Sequence, residues 1–430
     1  MSVAPDFDHA APASGWHFHV RPVYSGSNKV TLLRGGDALF PAMCDAIAAA
    51  RKEVWLATYI FHDDAASGSV VSALVAAAHR GVLVSIVVDG FGAGAGWHAL
   101  ERKLRNADLR VAVFRPLHRW WNWLQPGQLR RLHQKLCVID AEVAFVGGIN
   151  LIDDRFDVRL GWNNQPRLDY AVRVHGPVAQ TVQHVARAVW TRASLGRAWR
   201  DEVSALARSA RPLVRAKRLL KKMRTFAPSP RQPPPADTLP MRAALLVRDN
   251  LFQRRSIERA YVQAIRNAQH AVDLICPYFY PGNAFRRALR GAAARGVRVR
   301  LLMQGRWDYR LAELAAYALY DEMLAGGVQI YEYTPAHLHA KVAVIDHDWA
   351  TVGSSNIDPL SLLLNLEANV VVRDREFAAE LRQEFETVLA TSTAIDHANR
   401  DGRSMSFLRR GFIASVARLY LRIAGATGRY

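Results

Sequence analysis

Two histidines, two lysines and two asparagines of this 430-residue chain fall at repeated spacings that suit chemistry on a phosphate. His133-Gln134-Lys135 is followed five residues later by Asp140, and His339-Ala340-Lys341 five residues later by Asp346, so each copy reads H-x-K-x4-D. Small-residue turns follow, Gly147-Gly148-Ile149-Asn150 and Gly353-Ser354-Ser355-Asn356, and in both copies His and Asn stand 17 residues apart. An imidazole can attack phosphorus or carry a proton, while a neighbouring ammonium holds the negative charge of the phosphate oxygens. One H-x-K alone would pass as an ordinary strand with a stray histidine. Two copies with matching Asp and Asn offsets outweigh that reading.

The elements that must position these groups repeat as well. Each motif runs into an apolar, β-branched-rich stretch, and strands are expected over 132–140 and 338–346, where alternation puts His and Lys on one face and Gln134 or Ala340 on the other. Upstream, residues 40–60 read as a helix running into an apolar strand, and residues 257–276 repeat that pattern. Two further matching units, 76–84 and 292–299, each end a helix at a glycine, Gly81 or Gly296, that suits a C-cap before a β-branched strand. Helix-strand alternation of this kind predicts two similar α/β halves, each with a largely buried sheet. Face-to-face association of the halves would bring His133 and His339 into one pocket.

Half of the residues are hydrophobic, so two substantial cores are feasible. The net charge of +19 predicts an anionic partner, either nucleic acid or a membrane surface rich in acidic lipid. Cys44, Cys137 and Cys276 lie in apolar segments without short spacing, which argues for small core residues rather than a disulfide framework or a zinc cluster. No signal peptide and no stretch of 18 apolar residues is found, so a cytoplasmic or peripherally bound protein is expected. Residues 198–240 form a basic, then proline-rich connector. The tail 401–430 reads as a basic amphipathic helix, fit either to dock on the body or to lie in a bilayer interface. Trp120, Trp121 and Trp123 suit an interfacial belt or an acyl-chain entrance.

The paired H-x-K-x4-D motifs, each with its G-[GS]-x-N turn, resemble the signature of the phospholipase D superfamily. The stretches 132–140 with 144–150, and 352–358 with 365–367, are similar to bacterial cardiolipin synthases of the short type that lacks N-terminal membrane spans. The likeness runs from about residue 30 to residue 388, with the proline-rich middle as its main departure. It implies two homologous α/β domains, each a mixed sheet flanked by helices, related by a pseudo-twofold with the active site at their interface. The expected divisions are 17–197, a linker 198–240, 241–400 and the tail.

The resemblance further implies that His133 forms a phosphohistidine while His339 protonates the leaving oxygen and then deprotonates the incoming alcohol. Lys135, Lys341, Asn150 and Asn356 would hold the non-bridging oxygens. Asp169 and Glu367 resemble the family's acidic partners of the histidines, although they follow their Asn by 19 residues in one copy and 11 in the other. Asp140 and Asp346 complete the catalytic signature; closing their strands, they suit holding neighbouring backbone or basic groups. No cofactor is implied, and with no His-Asp-Glu cluster at metal spacing, metal-independent chemistry is expected. The implied activity is phosphatidyl transfer to phosphatidylglycerol at the cytoplasmic side of a bacterial inner membrane. Phospholipid hydrolysis and, less favoured, nuclease action are the alternatives, and nucleic acid is not the expected partner.

Overall fold

Two mixed sheets carry the chain. The computed structural model describes residues 22–94, 96–116, 130–157, 161–207, 214, 241–249, 253–305, 319–358, 361 and 365–396. The first sheet orders as β1-β9-β6-β5-β2-β3-β4, made from β1 (Lys29–Arg34), β2 (Glu53–Thr58), β3 (Leu83–Asp89), β4 (Arg110–Phe114), β5 (Leu136–Ile139), β6 (Val143–Gly147) and β9 (Tyr170–His175). The second repeats this order as β10-β16-β15-β14-β11-β12-β13 and adds β17 (Ser392–Ile395). Its strands are β10 (Arg242–Arg248), β11 (Ala271–Ile275), β12 (Arg298–Gln304), β13 (Gln329–Tyr333), β14 (Val342–Ile345), β15 (Trp349–Gly353) and β16 (Glu367–Arg373). In both sheets three strands run parallel and the motif strand, β5 or β14, pairs antiparallel on each side.

The expected alternation is borne out by α1 (Gly35–Ala48) before β2, α2 (Gly68–His79) before β3 and α3 (Trp97–Asn106) before β4. In the second half α5 (Ser256–Asn267) precedes β11 and α6 (Asn283–Ala294) precedes β12. Gly81 and Gly296 follow α2 and α6 with φ +85° and +86°, the left-handed conformation that closes a helix at little cost only for glycine. Helix α4 (Pro177–Ala207) continues past residue 197, and α7 (Arg375–Leu389) closes the second half.

Three apolar clusters make the layers. One packs α1, α2 and α3 on the outer face of the first sheet, and a second packs α5 and α6 on the outer face of the other. The third lies between the sheets, where Val138, Val146 and Val172 join Val344, Val352 and Val370 under cover from α4 and α7. Burial of this shared surface, at about 25 cal/mol per Å² of apolar area, is what holds the halves together. Cys137 and Cys276 are buried within these cores. A small hairpin, β7 (Phe156–Asp157) with β8 (Gly161–Trp162), lies in the first half and has no counterpart among the described residues of the second.

Candidate active site

Both motifs leave their own sheets before the histidine. The strands expected over 132–140 and 338–346 are cut to β5 and β14, because the backbone ahead of them pairs across to the other half. Leu132 bridges Leu366 in parallel register, with His133 N–H donating to Leu366 O at 3.0 Å and Leu366 N–H donating to Arg131 O at 2.8 Å. Leu168 bridges Leu338 in the same way, through Leu168 N–H to His337 O at 2.8 Å and His339 N–H to Leu168 O at 2.9 Å. The exchange is reciprocal, as a twofold relation between the halves requires.

This pairing sets each histidine beside the acid of the opposite half. His133 Nδ1 lies 3.0 and 3.1 Å from the Glu367 carboxylate oxygens, and His339 Nδ1 lies 2.5 Å from Asp169 Oδ2. The acids are equivalent in register, each two residues before the partner of the first glycine of its turn: Gly147 faces Ala171 and Gly353 faces Asn369. Both are buried, whereas the histidine side chains keep 12% and 21% of their surface exposed, enough to meet a ligand. Lys135 Nζ donates to His133 O at 2.8 Å, and Lys341 Nζ donates to His339 O. Each lysine is thereby anchored to the backbone of its own histidine.

The four groups lie close enough to act on one another's charge. Burial pushes both histidines below their usual range, and the charges of Lys135 and Lys341 each act on both of them. Burial brings Lys135 down to about 7 and Lys341 to about 8, although nearby acids oppose it. The two acids diverge. Burial raises Asp169 to about 7. Glu367 feels the same burial, but the adjacent His133 and Lys135, with the Ser354 hydroxyl donating to its Oε2 at 2.6 Å, bring it below its ordinary value.

Asn150 and Asn356 are buried beside the motif strands. Asn150 Oδ1 accepts Ile60 N–H at 3.3 Å, and Asn356 Oδ1 has no hydrogen-bond partner among the described residues. Asp140 and Asp346, counted with the catalytic signature, stand instead at the far ends of β5 and β14. In left-handed backbone (φ 53° and 49°), Asp140 accepts the N–H groups of Arg51, Lys52 and Glu53, and Asp346 those of Gln269, His270 and Ala271. They tie the loops that enter β2 and β11, so their role is structural. Trp120, Trp121, Trp123, the proline-rich part of 198–240 and the tail 401–430 lie outside the described residues. Among the described residues no group of three or more His, Cys, Asp or Glu is placed to hold a metal ion.

Several neighbours of the site escape the motif. Tyr59 packs edge-on to His133 at 5.1 Å, with Lys135 Nζ 5.5 Å from its ring centre. Asp89, at the end of β3, accepts Leu132 N–H at 2.8 Å and pairs with Arg131, while Gln304, at the end of β12, accepts Leu338 N–H at 2.9 Å and meets His337. Arg131 and His337 stand two residues before their histidines, so alternation marks them as facing the same way. Tyr59 carries no such signal.

The sequence profile described as cardiolipin synthase, PLD-like domain, matches residues 43–188 and 261–389. Cardiolipin synthase B of Shigella flexneri is 36% identical over 364 residues, covering 84% of this chain and 81% of that protein. Cardiolipin synthase B of Escherichia coli (strain K12) is 35% identical over the same length and coverage. Among solved structures, a phosphatidylserine synthase of Haemophilus influenzae Rd KW20 superposes with a TM-score of 0.63, covering 92% of this chain and 94% of that one. At 12% identity this likeness speaks for the fold alone.

Proposed function

Because the chain belongs to the cardiolipin synthase family built on phospholipase D-like domains, we propose that it moves a phosphatidyl group onto the glycerol hydroxyl of phosphatidylglycerol, making cardiolipin. The observation that carries the chemistry is the crossed and unequal pair of histidine–carboxyl contacts. An ionised Glu367 accepts the Nδ1–H of His133 and so leaves a lone pair on Nε2, the form of a nucleophile. Asp169, raised to about 7, holds a proton in a large share of molecules at neutral pH and donates it to His339 Nδ1, which places the ring proton on Nε2, the form of an acid.

The steps then balance. His133 Nε2 attacks phosphorus, the bond to the headgroup glycerol oxygen breaks, and that oxygen takes the Nε2 proton of His339 while the Asp169 proton passes to Nδ1. The product is a phosphatidyl-histidine. In the second displacement the acceptor hydroxyl gives its proton to His339 Nε2 as its oxygen attacks, the P–N bond breaks, and Asp169 regains its proton. Lys135 and Lys341, with the amides of Asn150 and Asn356, hold the non-bridging oxygens, where preorganised donors do most for the transition state. The residues that touch substrate in this scheme are His133, His339, both lysines and both asparagines; Glu367 and Asp169 position the rings.

The partners are anionic phospholipids, and the protein acts as a peripheral protein at the cytoplasmic face of a bacterial inner membrane, whose negative surface suits a charge of +19. No helix among the described residues is long and apolar enough to cross a membrane. The test is a vesicle assay with phosphatidylglycerol labelled in its headgroup, run with and without EDTA. Cardiolipin and free glycerol should form in equal amounts, and EDTA should leave the rate intact once vesicle binding is controlled for. Accumulation of phosphatidic acid in place of cardiolipin would assign hydrolysis, and faster cleavage of single-stranded DNA would sink the lipid reading.

A further inference from the structure

Two sets of aromatic contacts lie along the loop that follows β2, and one of them reaches His133 through Tyr59. On one side Tyr59 meets Phe91 at 6.3 Å; on the other, three residues on, His62 meets Phe156 at 6.3 Å and Phe156 meets Trp162 edge-on at 5.4 Å. The inner rings are covered, but the two ends are not. Phe91 is 48% exposed and Trp162 is 69% exposed, and among the described residues these are the aromatic side chains left most open to solvent. Single exposed apolar residues are ordinary, yet two large rings at the rim of one site are not.

Trp162 lies in the longer of two matching intervals. The interval from Asn150 to Asp169 exceeds that from Asn356 to Glu367 by eight residues, and it carries the β7–β8 hairpin. The hairpin is braced, not loose. Asp153 N–H donates to Asp64 at 2.8 Å, the Asp154 carboxylate accepts Gly36 N–H at 2.6 Å, and Arg167 reaches back to Phe156 O at 2.9 Å and to Asp157. The exposed ring is therefore presented by a supported element, beside the exposed Arg155.

We propose that Phe91 and Trp162 seat in the interfacial layer of an anionic phospholipid bilayer and so bring the mouth of the His133–His339 pocket to headgroup depth. The Trp162 indole, with its polar N–H, favours that layer, the Phe91 ring adds apolar area, and the positive chain complements anionic lipid. The inference rests on the lipid reading of the site, but its test needs no turnover.

Full-length protein is mixed with sucrose-loaded vesicles of equal parts phosphatidylglycerol and phosphatidylcholine, and partition is read by sedimentation. Phe91→Ser/Trp162→Ser should bind about tenfold more weakly at an unchanged melting temperature, and Trp162→Phe should stay within about threefold of the unsubstituted protein. Brominated lipid should quench the tryptophan fluorescence of the unsubstituted protein more than that of Trp162→Phe. Should the double variant lose its melting transition, Trp162→Ser alone, at the exposed end, carries the test. Equal vesicle binding by variant and unsubstituted protein overturns the proposal. So does a halving of solution mass in the variant, which would make the rings a contact between copies. Vesicle binding as expected, without cardiolipin formation, would overturn the activity and leave the seat standing.

Discussion

In the first half of the molecule, the backbone entering the histidine is pinned by a charged pair, Arg131 with Asp89; in the second, the same places hold His337 and Gln304. The differences continue inward. Gly148 packs where Ser354 sits in the other turn, Gln134 stands where Ala340 does, and an aspartic acid near 7 answers a glutamate held ionised. The strand order and the crossed backbone pairing are shared. A duplicated fold thus supplies the geometry twice, and in the proposed mechanism divergence of a few buried side chains gives its two imidazoles opposite tautomers.

That contrast breaks first at the histidines. His133→Ala and His339→Ala should each lower turnover at least about a hundredfold, the scale of a lost nucleophile or acid. A diester with a nitrophenol leaving group needs no acid, so His339→Ala should still give a stoichiometric burst of nitrophenol and His133→Ala none. Identical behaviour of the two variants would erase the assigned difference.

A smaller effect sharpens the comparison of the acids. As pH rises through about 7, Asp169 loses its proton and Lys135 its charge, so kcat/KM should fall, with Lys341 adding to the fall near 8. Asp169→Asn should make this limb shallower and cost about tenfold or more, while Glu367→Gln should lower the rate and leave the Asp169 ionisation in place. Stability follows the same group. A folded-state value raised above the ordinary 3.8 means that the folded protein binds more protons than the unfolded chain between about 4 and 7, so stability falls as pH rises through that window. Melting temperatures taken from pH 5 to 8 should decline less in Asp169→Asn. A steeper decline in that variant would reverse the assignment.

The turns give the smallest effects. Ser354→Gly removes the hydroxyl that donates to Glu367, a loss of about 1 kcal/mol seen as a several-fold drop in rate. The reverse change, Gly148→Ser, is the harsher of the two, since a Cβ there would lie 2.3 Å from Asp169 Oδ1 and must displace it. Thermal melting should therefore separate the pair, with Gly148→Ser the less stable; equal melting would mean that the two turns are interchangeable.

Much of this was legible from spacing alone. The H-x-K pairs, the 17-residue offset to Asn and the apolar runs mark His133, Lys135, Asn150 and their counterparts, because a motif is local and alternation fixes its face. Asp169 and Glu367 were readable as acids in buried strands, but their exchange between halves was not, since it depends on parallel bridges between segments far apart in sequence. The two aspartates of the motif, read as strand-closing residues that hold backbone, do so for a local reason. Their spacing is fixed by a left-handed turn that captures backbone N–H groups, a local constraint that gives as regular a signal as catalysis does. The longer spacing before Asp169 was visible in the sequence, but not that its hairpin exposes a tryptophan.

The crossed contacts also set an order in time. A chain is made from its first residue, so His133 is joined 234 residues before the Glu367 that orients it, and Asp169 waits 170 residues for His339. A nascent first half can complete its sheet, yet it holds an imidazole with no anion behind it and an acid with no ring to serve. Both contacts arise only when the last strands dock. In the proposed mechanism neither imidazole is therefore oriented for phosphoryl transfer before the second half has folded onto the first.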